Sequence, residues 1–348
     1  MRKLRAWMVG FVLMVNVPPA VAADNDGALL KQAQAVFQPL PPDMATPGAP
    51  ITKERVDLGK TLFFDPRLTI DGKLSCSSCH QPARYGTDGL SKSMGVRERS
   101  HARNAPTVLN AGLYFVIHWR GDREDLEDQV VKALTSPITS GQPDEKAILD
   151  RLGQIPGYAP LFEAAFPDDP QPMSVRNIAK AIGAYERTLV TPTEFDRYLG
   201  GDIDALPPIA RVGLKTFIDT GCVACHNGAL VGGGSYRKFG VVEDYWKATG
   251  SQTIDQGRAE VTKNSDDLYV FRVASLRNVA KTSPYFHDGS VATLPEAVKV
   301  MARVQLGVTL SDSQTTEIVA FLESLTGDLP ANFVTEPTLP PGSVAPGG

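Results

Sequence analysis

The chain has 348 residues, 42% of them apolar and 21% charged, with a formal charge of −4 and a mean hydropathy of −0.13. That length suffices for two domains with buried cores. The slightly acidic balance argues against a nucleic-acid partner, whose phosphates call for a basic surface. After residue 23 no apolar run approaches the ~20 residues of a membrane span.

Residues 1–23 read as a secretory signal peptide. Arg2, Lys3 and Arg5 precede an apolar run from Trp7 to Val17, and Ala20-Val-Ala22 supplies small residues for cleavage. Removing three positive charges takes the formal charge from −4 to about −7, which suits a lysine-rimmed electron donor. The expected location is the periplasm of a Gram-negative bacterium.

The mature chain is expected to start helical and to turn Pro-rich between Pro39 and Pro50. It then runs through 58–67 to Cys76-Ser-Ser-Cys79-His80. Residues 81–104 are Gly-rich and charged without periodicity and read as a loop. The spacing of Leu126, Val130, Ala133 and Leu134 predicts a helix over 124–134, closed by Pro137. Another starts at Ser174 as N-cap, with Ile178, Ile182, Tyr185 and Leu189 as its core stripe. Gly200-Gly201 to Pro207-Pro208 marks a domain boundary, and a helix over 209–218 leads to Gly221 and Cys222-Val-Ala-Cys225-His226.

Residues 228–266, rich in Gly, Asp and Lys, are expected to form a long loop with little regular structure. Helical spacing resumes over 294–304, with Thr293 and Glu296 as a capping box. In the last helix Ser311 and Gln314 form a capping box, Ile318, Phe321, Leu322 and Leu325 line one face, and Gly327 stops it. The tail from Pro330 is Pro/Gly-rich and expected to be extended or disordered. The pattern supports a mainly α fold with few strands, made of two cytochrome c-like helical domains. One covers 24–200 and the other 201–328, with a tail at 329–348.

Each Cys-x-x-Cys-His motif reads as an attachment site for c-type haem. The two thiols add to the vinyl groups, and the His that follows falls beneath the iron as axial ligand. Four cysteines in an exported chain could instead form two disulfides, and paired CxxC could bind zinc. Against both, the two motifs use all four cysteines, and His follows each second Cys at once. Two covalently bound haems are expected, through Cys76, Cys79 and His80 and through Cys222, Cys225 and His226.

Several ordered stretches carry a resemblance beyond the motifs. They are Phe64-Asp-Pro-Arg67, Arg103-Asn-Ala-Pro-Thr-Val-Leu-Asn110, Trp119, Gln129, Pro284-Tyr-Phe-His-Asp-Gly289 and Met301-Ala-Arg-Val-Gln-Leu-Gly307. Over residues 50–328 the chain resembles the bacterial di-haem cytochrome c peroxidases, a family that includes MauG. The resemblance implies that the His80 haem meets peroxide and that the His226 haem takes electrons. Met301 would be the sixth ligand of the second iron, where the MauG branch has Tyr. A thioether favours ferrous iron and raises the potential; read alone, Met301 is a core residue of its helix. Trp119 would lie between the haems and carry charge. Asn104, Thr282 and Pro284 would bind Ca²⁺ between the domains, oxygen ligands that suit a hard cation. Related peroxidases are often dimers, so the resemblance points to a homodimer.

The sequence departs from the family in the peroxide pocket. The loop His that caps the first haem aligns with Val96, with Met94 and His101 nearby, so that iron is expected to be open to peroxide or water. The Glu that moves the proton in breaking the O–O bond aligns with Thr139, a poor base near neutral pH. His118 stands where the family usually has Phe. It can shuttle a proton, with Gln129 and Thr139 beside it, or it is a His bonded to neighbouring backbone. The leading reading is an enzyme reducing hydrogen peroxide with electrons from a cytochrome c or cupredoxin. A MauG-like enzyme oxidising a side chain of a partner protein, and a di-haem electron carrier without peroxide turnover, are the alternatives. The purified mature chain is expected to show the mass increment of two haems and a reduced α-band; absence of both would remove all three readings.

Overall fold

The computed structural model describes residues 19–344, and side chains from 26. The apolar run expected to be a signal peptide, Trp7 to Val17, lies outside the described residues. The fold is mainly helical with few strands; most of its buried apolar side chains gather in two large cores, and Phe239, Tyr245 and Phe271 form a smaller aromatic cluster.

The first core is built by α2 (Lys53–Phe64), α4 (Leu126–Leu134), α5 (Glu145–Gly153), α6 (Tyr158–Ala165) and α7 (Val175–Glu186), while α3 (Cys76–Cys79) is a single turn beside it. Ser174 caps α7 as its sequence predicts, whereas α4 starts two residues later than the expected 124, capped by Asp125. Helices α2 and α7 cross closely because Gly59 has no side chain: a Cβ there would lie 1.9 Å from Ala181 O. Leu62, Phe63, Ile178, Ile182 and Tyr185 fill the crossing.

The second core repeats the plan with α9 (Pro208–Thr220) and α13 (Asp312–Glu323). Here Gly213 allows the approach, since a Cβ would lie 1.8 Å from Glu317 O. This core also takes α8 (Glu194–Leu199) and α12 (Leu294–Met301), together with the chain's first helix, α1 (Pro19–Gln34). Conversely, Phe333 of α14 (Ala331–Val334) packs in the first core. The cores thus exchange the first and last described segments, and α8 and most of α1, which fall within 24–200, pack on the later helices.

The repeat extends to the loops. Asn110 and Asn278 both adopt φ 60° and ψ 12°, and each precedes a single 3-10 turn. A bridge joins Ile117 to Arg123 and another joins Tyr285 to Val291, with positive φ at His118 and Phe286 just inside. The same interval in sequence separates each pair of equivalents.

Four local expectations are corrected. Within 228–266, β1 (Tyr236–Lys238) pairs antiparallel with β2 (Val270–Arg272), and the helices α10 (Tyr245–Thr249) and α11 (Ala259–Thr262) also form. Tyr245 anchors them at 0% exposure, stacked on Phe239. Thr293 makes no side-chain cap on α12, which runs on from Met301 into a π-turn over Ala302–Leu306. The last helix ends at Glu323; Gly327 serves packing instead, where a Cβ would lie 2.4 Å from Thr191 O. Finally, the tail is docked. Arg67 donates from Nη1 to Pro340 O (2.9 Å) and Gly342 O (2.8 Å), and Phe333 is fully buried against Phe63.

Phe333→Ala is therefore expected to lower unfolding stability by about 3–5 kcal/mol in urea denaturation, the usual loss for a buried Phe. A tail free in solvent would give a change within about 0.5 kcal/mol.

Candidate functional site

The first CxxCH motif forms the α3 turn, and His80 N–H closes it on Cys76 O at 3.0 Å. The second forms a 3-10 turn after Gly221, whose φ of 95° reverses the chain leaving α9; His226 N–H likewise reaches Cys222 O at 3.0 Å. Each motif opens on a cavity, of about 420 Å³ beside His80 and about 230 Å³ beside His226.

Both cavities suit a haem. His80 Nδ1 lies 3.0 Å from Gly86 O and His226 Nδ1 3.3 Å from Val231 O. Each carbonyl fixes the proton on Nδ1 and leaves Nε2 for an iron. Burial lowers the pKa of both imidazoles, His226 to about 4, so both are neutral as ligation needs. Gly232 keeps the second ring's surroundings narrow, since a Cβ there would sit 3.1 Å from His226 Nδ1. All four cysteines are unpaired, and burial pushes Cys76 up to about 12 and Cys79 and Cys222 to about 11. Among the described residues no three or more His, Cys, Asp or Glu are grouped closely enough to hold a metal ion by themselves.

His80, Cys76, Cys79, His118, Gln129 and Thr139 line the first cavity; Cys222, Cys225, His226, Met301, Thr282 and Pro284 line the second. Trp119 and Asn104 line both. Trp119 Nε1 donates to Asn104 O at 2.9 Å and the Trp119 carbonyl accepts from Arg272 N at 2.8 Å. Asn104 spends Nδ2 on Leu90 O (2.7 Å), which leaves its amide oxygen as the acceptor a cation would use. Met301 sits at the junction of α12 and the π-turn, an irregularity frequent at functional sites. Val96 is 1% exposed and packs at Gly141 outside the cavity lining, whereas His101 and Met94 line the first cavity.

His118 is not bonded to neighbouring backbone through its ring. Its Nδ1 lies 3.4 Å from Asp122 Oδ1, while Asp122 Oδ2 takes Arg123 at 2.6 Å and Arg120 at 3.1 Å. Burial opposes the charge on Asp122, but His118, Arg120 and Arg123 outweigh it and hold the carboxyl well below the usual range. Gln129 Oε1 is buried without a hydrogen-bond partner.

Sequence reasoning did not single out Asp122, Arg272, His287 or Glu186. A charged residue inside the apolar run 270–273 was a usable signal for Arg272, since an unpaired charge is seldom buried. Nothing local marked Glu186. It is 7% exposed in the wall of the first cavity, and burial pushes its carboxyl up to about 8, with Arg187 opposing and Glu127 assisting.

The sequence profile described as di-haem cytochrome c peroxidase matches residues 53–204. The chain is 42% identical over 334 residues to the cytochrome c551 peroxidase of Pseudomonas aeruginosa, covering 95% of this chain and 94% of the relative. It is 34% identical to the methylamine utilization protein MauG of Methylophilus methylotrophus, covering 80% and 84%. Among solved structures, a MauG-like protein associated with microbial copper homeostasis superposes with a TM-score of 0.76 at 28% identity, covering 86% of this chain and 97% of that one.

The raised Glu186 has a stability signature. Its folded pKa lies above the unfolded value, so its contribution is full below about pH 4.5 and is lost as pH rises through about 8. Denaturation of Glu186→Gln and of the native protein at pH 5 and pH 8 is expected to show the variant gaining on the native protein as pH rises. A difference that stays constant would place Glu186 in contact with solvent or a cation.

Proposed function

Because this chain belongs to the di-haem cytochrome c peroxidase family and is a di-haem peroxidase-type oxidoreductase, we propose that it reduces hydrogen peroxide in the first cavity with electrons delivered at the second. The observation that carries this reading is the wall the cavities share, in which Trp119 faces both. Bound haem supplies redox-active iron at each site. Every other part of the chemistry belongs to side chains.

Cys76 and Cys79, and Cys222 and Cys225, would hold the haems through thioether links, with His80 and His226 as iron ligands. Met301 would supply the second ligand on the C-terminal side and poise that site for electron entry. Trp119 carries charge across the wall, held flat by its bonds to Asn104 and Arg272. The N-terminal unit thereby serves peroxide and the C-terminal unit the donor, a small cytochrome c or cupredoxin. Asn104, through its side-chain oxygen, and Thr282 and Pro284, through their carbonyls, hold a Ca²⁺ that ties the two units together. The protein works in the periplasm, exported by residues 1–23. No helix among the described residues is long and apolar enough to cross a membrane.

Reduction of peroxide to two waters takes two electrons and two protons, and one proton must pass from the inner to the outer oxygen. Thr139 cannot do this. His118 can: Asp122 Oδ1 faces its Nδ1 at 3.4 Å as a counter-charge for the protonated ring, and Nε2 accepts the proton and returns it to the departing oxygen. Gln129 Oε1, lacking any protein donor, takes an O–H of the incoming peroxide. Val96, where the family has its capping His, offers no ligating atom and packs outside the cavity lining, so that side of a bound haem would stay open to peroxide.

The changed pocket also favours a second reading, in which the oxidising equivalents are spent on a side chain of a partner protein. Stopped-flow mixing with peroxide, with and without a reduced donor cytochrome c, separates the two. Rapid donor oxidation, with a high-spin signal in the oxidised protein, is expected; a long-lived oxidised state that drains slowly into donor would favour the second. His118→Phe is expected to slow the reaction with peroxide by about 10²–10⁴-fold, with both haems retained. An undiminished rate would remove His118 from the mechanism.

A further inference from the structure

Arg272 ends β2 in the wall between the cavities and lines both. It is 4% exposed. Its backbone N–H goes to Trp119 O and its Nε to His118 O at 3.1 Å, while the guanidinium lies over the Tyr114 ring, 3.7 Å from the centroid. Nη1 is buried and has no hydrogen-bond partner.

Two arginines of comparable burial each have a carboxylate: Arg277 has Asp196 at 2.7 Å and Arg187 has Glu127 at 2.6 Å. Among the described residues no carboxylate pairs with Arg272. A permanently charged guanidinium is not kept out of water without a counter-charge, and its fork suits carboxylate oxygens. Haem brings two carboxylates of its own.

We propose that Arg272 is one counter-charge shared by the propionates of both haems, which couples the two sites electrostatically. Its positive charge favours the reduced state of each iron, so it raises both potentials. Because one fork serves both sides, a change of charge at either site is felt at the other. The proposal rests on the two-haem reading above, and requires the propionates to face the shared wall.

Arg272→Gln and Arg272→Lys holoproteins test it, first by haem-to-chain ratio and then by spectroelectrochemical titration of both haems. Arg272→Gln is expected to keep two haems and to shift both midpoint potentials downward, with Arg272→Lys between it and the native protein. Potentials that stay put, or a shift at one haem alone, would overturn the shared role while leaving the two-haem reading intact. Fewer than two haems in the native protein would overturn that reading and the proposal with it. Should Arg272→Gln fail to load haem, resonance Raman of Arg272→Lys decides. The propionate-bending bands of both haems are expected to move from their native positions, and unmoved bands at either haem overturn the proposal.

Discussion

Thr191 Oγ1 accepts a hydrogen bond from Asn110 Nδ2 at 2.8 Å and another from Asn278 Nδ2 at 2.9 Å, in a site where all three residues are at most 1% exposed. Each Asn is the turning point of its own unit. Asn110 Oδ1 accepts from Thr191 N, and Asn278 Oδ1 from Gly327 N, so each also holds the chain leaving its unit's last helix. Breaking this knot would bury unsatisfied amides in both units at once. The loops just beyond it carry Trp119 on one side and His287 on the other, rings 6.4 Å apart. The thin wall between the cavities therefore depends on one hydroxyl that both units share.

The two cavities use their surroundings differently. Around His226 and Met301 the wall is aromatic and apolar, with Phe239, Phe271 and the 2%-exposed His287 close by, a setting that keeps water out and favours electron exchange without proton chemistry. The cavity beside His80 is larger and collects His101, His118, Gln129, Asp122 and Glu186. There the groups are tuned in opposite directions: Asp122 is held charged by two arginines and His118, and Glu186 is held neutral by burial. Separated pKa values of this kind equip a site to hold protons and release them at neutral pH.

The exchange of the first and last described segments bears on how the halves stay together. Phe37 and α1 pack under Phe195 and Phe321, and Phe333 packs under Phe63 and Tyr185. Neither core is complete without a segment distant from it in sequence. Such non-local closure favours a fixed arrangement of the units over a hinge.

Much of the site was legible in the order of residues. CxxCH places thiols and imidazole by spacing alone, periodicity located α4, and periodicity with caps located α7 and α13. Matching stretches singled out Trp119, Gln129 and Met301, and the structure seats each of them on a cavity. What sequence could not supply was anything fixed by contact between distant segments. The docking of the tail, the pairing of β1 with β2, the burial of Glu186 and the lone guanidinium of Arg272 depend on partners tens to hundreds of residues away. His118 shows the division most clearly: its ring was visible as a candidate proton carrier, but only the fold brought Asp122 around a tight turn to its Nδ1. Local chemistry is written in neighbouring residues, whereas burial and counter-charge exist only once the chain has closed on itself.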